Sequence, residues 1–214
     1  MKITLLLLFS FLVISTCSAQ ITRGTVFVGG SGSYSRQAYE SNPDPNFSYE
    51  LSTSSFNFNP KVGYFIADNI TVGLGVNYSR SKSEAKGTGI NEPTDNKYHA
   101  FGMAPFGRYY KMLGERAGFF GQLTVSFDSG KEKSGDFTTR KNSSVGAGIA
   151  PGFVFFATPR IGIETTVGSL GYYFYKNKYY DSGQNNPTES TSNQFIAGVE
   201  ASNIFLGINF YLGR

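Results

Sequence analysis

Few residues in this chain could carry out chemistry. The 214 residues include one histidine, His99, and one cysteine, Cys17. A nucleophilic site needs a hydroxyl or thiol beside a base, and a third group to orient that base. Serine and aspartate are plentiful in the polar segments, but none stands at a spacing from His99 that marks a pair. A single histidine without cysteine leaves a zinc site only carboxylates. No catalytic residue, metal site or cofactor is expected. Spacing does single out a polar set: Lys61, Arg108, Gln122, Glu164 and Asn209. Each lies a few residues from one end of an alternating stretch, on its less apolar side. Their chemistry would be ion pairing. Glu164 is expected to pair with Arg108, with Lys61, or with both, because a buried charge left alone is costly.

A scaffold must hold those five positions at one height, and a recurring hairpin supplies it. Pro60 to Asn77, Pro105 to Asp128 and Pro151 to Tyr173 share one plan: a proline, about eight residues to a polar turn, then a returning strand. The prolines stand 45 and 46 residues apart. Ile70, Val72, Leu74, Val76 and Tyr78 alternate with Thr71, Gly73, Gly75, Asn77 and Ser79. Period-two alternation marks a sheet whose faces meet two different solvents. Similar patterns place strands over 22–34, 51–66, 97–111 and from Phe119 to Asp128. Two more carry Val145 to Phe155 and Ile161 to Tyr173. The last carries Ile204, Leu206, Ile208, Phe210 and Leu212 outward.

Connections near 67–69, 113–117 and 158–160 are short. Those near 36–49, 85–96, 129–141 and 177–192 read as long polar loops. Eight strands joined by short turns on one side and longer loops on the other describe an all-β, antiparallel up-and-down transmembrane barrel. Aromatics bracket its outward faces: Tyr64, Tyr109, Phe119 and Phe155 near the short turns, and Tyr78, Phe127 and Tyr173 near the long loops. Two such rings are expected as interfacial girdles. Inward Phe65, Phe106, Phe120, Phe156 and Tyr211 would help close the short-turn end. The prolines cannot donate a ladder hydrogen bond, so each predicts a bulge or a break in the ladder.

The N-terminus reads as an export signal. Lys2 precedes an apolar run from Ile3 to Ile14, followed by Ser15, Thr16, Cys17, Ser18 and Ala19. This is the charged, apolar and small-residue order of a secretory signal peptide, with cleavage between Ala19 and Gln20. A membrane helix would need roughly 20 apolar residues. The expected domains are a signal peptide, 1–19, and one barrel domain, 20–214. Cleavage removes Cys17, and with it any disulfide or thiolate chemistry. It also removes Lys2, one of 19 basic residues, leaving a weak excess over the 15 acidic ones. That charge is scattered, so nucleic acid is not an expected partner.

The chain resembles the small outer-membrane β-barrel family of Gram-negative bacteria, the OmpA/OmpX-like barrels. The resemblance rests on Gly24-Thr25-Val26-Phe27-Val28-Gly29-Gly30, Pro60-Lys61-Val62-Gly63-Tyr64-Phe65-Ile66 and Pro105-Phe106-Gly107-Arg108-Tyr109-Tyr110. It also rests on the closing Leu206-Gly207-Ile208-Asn209-Phe210-Tyr211. The Ala19-Gln20 edge is similar to that of Bacteroidetes proteins. The resemblance implies a place in the cell outer membrane, contact with its lipid and lipopolysaccharide, and insertion by the barrel-assembly machinery. Such barrels often end on an aromatic residue that this machinery reads. Here the end is Tyr211-Leu212-Gly213-Arg214, so Phe210 or Tyr211 would serve. Barrel deacylases of this size place a serine two residues after the histidine; here that residue is Phe101. The expected role is therefore non-enzymatic, structural or surface-interacting through the loops, with a closed polar interior. The alternative is a narrow, porin-like channel for ions or small solutes.

Overall fold

The computed structural model describes residues 20–44, 47–88, 94–181, 186–198 and 207–214. Residues 1–19, with the expected signal and Ala19 of its cleavage site, lie outside the described residues, as do Ile204 and Leu206; Gln20 is exposed. The strands are β1 (Val26–Asp44), β2 (Phe47–Ala67), β3 (Ile70–Gly87), β4 (Thr94–Met112) and β5 (Ala117–Ser134). They continue as β6 (Phe137–Thr158), β7 (Ile161–Thr166), β8 (Ser169–Tyr179), β9 (Thr188–Gly198) and β10 (Gly207–Leu212).

β1 to β6 pair antiparallel in chain order, β6 pairs with both β7 and β8, β8 pairs with β9, and β10 closes the circle between β7 and β1. Phe27 stands opposite Tyr211, and Ile208 opposite both Gly30 and Ile163. β7 and β8 together form the seventh strand of the circle; β9 and β10 form the eighth. The result is a closed, eight-stranded antiparallel barrel. Above Gly30, β1 pairs only with β2 among the described residues.

Alternation sorts the side chains. Val62, Leu74, Met103, Leu123, Ile149 and Ile208 point outward and stay about half open. Phe27, Phe65, Phe106, Tyr110, Phe120, Phe156 and Tyr211 point inward and are buried at the short-turn end. The segment before β1 folds beneath them. Ile21 is fully buried there, its N–H donating to Asn69 Oδ1 at 3.0 Å. Asn69 turns β2 into β3 with φ of 63°, a conformation asparagine tolerates.

Pro60 and Pro105 act on the ladder in the same way. β2 pairs Phe58 with Tyr78 and resumes with Lys61 and Gly75, skipping Asn59 and Pro60. β4 pairs Met103 with Phe127 and resumes with Phe106 and Thr124, skipping Ala104 and Pro105. Both lapses keep register, as expected when one N–H is missing and no residue is inserted.

The third lapse differs, and it corrects one expectation. β6 pairs Gly152 with Thr166 but Ile149 with Leu170, so one extra residue enters the seventh strand. Gly168, with φ of 83°, sits at this bulge. One inserted residue exchanges the faces beyond it. Leu170, Tyr172 and Phe174 therefore face outward, while Tyr173 faces the lumen against Gly146 and Gly171. Tyr173 is not part of the upper girdle.

The polar segments read as loops are largely strand. β5 and β6 meet at a two-residue turn, Gly135-Asp136, where Gly135 supplies a φ of 57°. The hairpins thus run well past the outward apolar band. Cross-strand polar pairs hold them: Thr53 with Ser83 at 3.1 Å, Ser55 with Ser81 at 3.1 Å, and Arg140 with Glu132 at 2.8 Å. Glu189 accepts from Lys176 at 2.8 Å and Lys178 at 2.7 Å. Those two hydrogen bonds hold its carboxyl down at about 2.

Candidate functional site

Four of the five expected polar residues meet in the lumen. Arg108 is 3% exposed and Glu164 4%. Arg108 Nη1 donates to Glu164 Oε2 at 2.7 Å, and Lys61 Nζ donates to the same oxygen at 3.3 Å. Arg108 Nε and Nη2 both donate to Gln122 Oε1, at 2.9 and 2.6 Å. Gln122 Nε2 passes the chain upward to Thr124 at 2.8 Å. Asn209 is fully buried behind Gly29, and its amide has no hydrogen-bond partner among the described residues. It shares the layer without joining the network.

Two tyrosines complete the network. The Tyr211 hydroxyl donates to Glu164 Oε1, and the Tyr110 hydroxyl reaches that oxygen at 3.2 Å. Arg108 Nη1 donates to Tyr110 at 2.6 Å. Tyr211 was expected inward as a plug, but neither phenol was expected as a ligand of the carboxylate. The available signal was parity, since Phe106, Arg108 and Tyr110 share the inward face of β4. A phenol at such a position keeps its ring in the plug and offers its hydroxyl to the polar layer.

The aromatic floor supports the ions as well as sealing the end. The Arg108 guanidinium lies 4.1 Å from the Phe120 ring centroid and 5.4 Å from those of Phe27 and Tyr110. Rings seat on inward glycines: a side chain at Gly63 would meet Phe27, at Gly73 Phe106, and at Gly152 Phe120. The abundant inward glycine is thus occupied by neighbouring rings at this end. Phe156 and Tyr211 pack edge to face at 4.9 Å between centroids.

Above the network the lumen widens into a cup of about 460 Å³. Lys61, Arg108, Gln122 and Glu164 line its floor; Asn77, Thr124, Ser126, Asp128 and Tyr173 line its wall. Asn77 Nδ2 donates to Asp128 at 3.1 Å. Lys61 is the most open member of the ion network, at 23%. Arg108 commits every nitrogen, and four of its five N–H donors, to partners, whereas Lys61 has one carboxylate partner and is the more open donor toward the cup.

The expected girdle residues face outward with the correction at Tyr173. Tyr64, Tyr109, Phe119 and Phe155 stand at the lower rim, and Phe127 at the upper. Tyr78 stacks edge to face with Phe56, centroids 6.3 Å apart, on that same upper rim.

The comparisons with known proteins concern the fold. The crystal structure of the outer membrane protein OprG from Pseudomonas aeruginosa aligns with a TM-score of 0.56 and 13% identity. It covers 89% of this chain and 97% of that one. The crystal structure of Neisserial surface protein A (NspA) aligns with a TM-score of 0.43 and 17% identity, over 88% of this chain and 99% of that one. No curated protein sequence matches. The likeness to OprG is one of fold, a closed antiparallel β-barrel. Residues 30–208, from the lip of β1 to the last strand, match the family model described as Protein of unknown function (DUF3575), and the chain belongs to that family.

Proposed function

We propose that this chain is a non-enzymatic barrel of the outer membrane of a Gram-negative bacterium, with a structural or surface-interaction role. The observation that carries the reading is the sealed floor. A buried aromatic cluster lies beneath the Lys61–Glu164–Arg108 network, and this arrangement supports a closed lumen. The outward band supports the membrane placement. Aliphatic side chains half open around a whole barrel form an apolar surface far larger than soluble monomers expose. Hydrocarbon is the solvent that suits it, and a closed barrel is one of two folds that satisfy the backbone there. Lipopolysaccharide and the barrel-assembly machinery are the partners such a placement implies. The polar hairpins beyond the band are the surface offered to others.

A narrow channel is the second reading, favoured by the open cup and its polar wall. Conductance in a planar bilayer decides between them. Barrels shown to be folded by heat-dependent gel mobility are expected to stay silent. Discrete, reproducible openings that change with Lys61→Glu would overturn the closed reading.

A further inference from the structure

The outward face of the barrel carries basic residues in direct register just beyond its upper apolar rim. Arg80 on β3 stands opposite His99 on β4, His99 opposite Lys131 on β5, Lys131 opposite Lys141 on β6, and Lys141 opposite Lys178 on β8. One step further out, Lys82 faces Lys97, and Lys97 faces Lys133. All share the parity of Leu74, Met103, Leu123 and Ile149, so they project toward whatever surrounds the barrel.

Like charges directly opposite on neighbouring strands repel. Carboxylates on this face relieve only part of that. Glu84 takes Lys82 at 2.6 Å, Asp95 takes Lys97 at 2.7 Å, and Glu189 takes Lys176 and Lys178. Among the described residues, Arg80, Lys131, Lys133 and Lys141 have no carboxylate partner. Lys141 lies over the Tyr180 ring at 5.3 Å. The other side of the barrel is different: past the rim, β1 and β2 place Glu40 opposite Glu50.

Height identifies the partner. The last outward apolar residue is Tyr78 on β3, Phe101 on β4, Phe127 on β5 and Val145 on β6. The first cation lies two to four residues further out on each strand, Arg80, Lys97, Lys131 and Lys141 in turn. At about 3.3 Å per residue on strands tilted about 40°, that is roughly 5–10 Å above the hydrocarbon edge. Lipid headgroups occupy that layer. Lys131 and Lys141 stand directly opposite, about 5 Å apart, close enough for one phosphate to bridge them, and Arg80 lies two strands from Lys131, about 10 Å away, with His99 between them.

We infer that the β3–β6 face is a docking surface for the phosphorylated headgroup of an outer-leaflet lipid, held between Arg80, Lys131 and Lys141. This rests on the membrane placement proposed above. The anion relieves the in-register repulsion, and the acyl chains lie on the apolar band directly below.

The test is native mass spectrometry of the full-length barrel in detergent with bis-phosphorylated lipid A, and with the same lipid after its phosphates are removed. Retention of the phosphorylated form alone is expected. The triple variant Arg80→Ser, Lys131→Ser, Lys141→Ser should weaken it about a hundredfold, about fivefold for each of the three cation contacts. A control triple on the opposite rim, Arg23→Ser, Arg116→Ser, Arg160→Ser, should not. Equal retention by the Arg80, Lys131, Lys141 variant, or equal binding of the dephosphorylated lipid, would overturn the inference. Heat-dependent gel mobility of each variant is read beside it. A chain that never shows the folded-barrel shift refutes the membrane reading itself; a shifted chain without phosphate preference refutes only the docking surface.

Discussion

Replacing Glu164 by glutamine keeps the side chain's shape and removes its charge. In the native lumen its two oxygens accept from Arg108, Lys61, Tyr110 and Tyr211. Glutamine offers one acceptor oxygen and turns the other position into a donor facing donors. Arg108, 3% exposed, is then left without a counter-charge. Breaking a buried pair this way costs about 3–5 kcal/mol. Lys61 can lean toward solvent in the cup, so the lower end applies, about 3 kcal/mol or a hundredfold in the folding equilibrium. Reversible urea unfolding in lipid vesicles, read by gel mobility, measures it. Arg108→Met should cost a similar amount. The double variant should cost about 2 kcal/mol less than the sum, since neither charge is then stranded. Additivity within about 0.5 kcal/mol, or a Glu164→Gln barrel as stable as the parent, would refute the network as a buried unit.

Three further outcomes are expected. Gly63→Val should destabilise the barrel by about 1–3 kcal/mol or prevent folding, because the Phe27 ring fills that space; a stable variant would mean the floor is loosely packed. In vesicles, a nitroxide label at Tyr172→Cys should be quenched by a lipid-soluble agent, and one at Tyr173→Cys by a water-soluble agent, with the reverse pattern disproving the bulge at Gly168. The Glu189 carboxyl carbon should titrate near 2 by NMR. Its folded value lies below the unfolded one, so the β8–β9 clasp is intact above the ordinary carboxylate range and is lost as pH falls through about 2. A midpoint near the ordinary carboxylate value would show that Lys176 and Lys178 do not hold it.

Strand order, barrel size and the inward layer were legible because period-two alternation is unbroken from β2 to β6. Parity alone placed Lys61, Arg108, Gln122 and Glu164 on one face, and equal distance from the short turns placed them at one height. Alternation fails where one residue is inserted. Gly168 resets the faces, so Tyr173 was assigned by a parity that ended five residues earlier. The local signal was there: Leu170, Tyr172 and Phe174 form an apolar set of the opposite phase. The long hairpins were misread for another reason. Serine, threonine and lysine look like loop residues by polarity, yet both faces of a strand beyond the membrane meet water, so no apolar alternation is needed there. The phenols escape the sequence reading because Tyr211 reads there only as plug and Tyr110 is given no role, although it shares the parity of Phe106 and Arg108.

Lys61 separates stability from any path through the lumen. Its ammonium has one carboxylate partner and stands at the cup floor, while Arg108 beneath it has none of its nitrogens to spare. Lys61→Met leaves Glu164 still paired with Arg108 and both phenols, so the ion network survives. A partly open ion pair contributes about 1 kcal/mol or less, and that is the expected loss, far below that for Arg108→Met. A loss equal to that of Arg108→Met would show that Glu164 depends on both cations and that the cup floor is less open than its geometry indicates. What does change is charge: the floor goes from two cations against one carboxylate to one against one. In a conducting barrel this would shift selectivity away from anions, since a lumen charge acts on every passing ion. In a sealed barrel it would shift nothing. Stability little changed with no conductance in either form is the outcome that the packed floor requires.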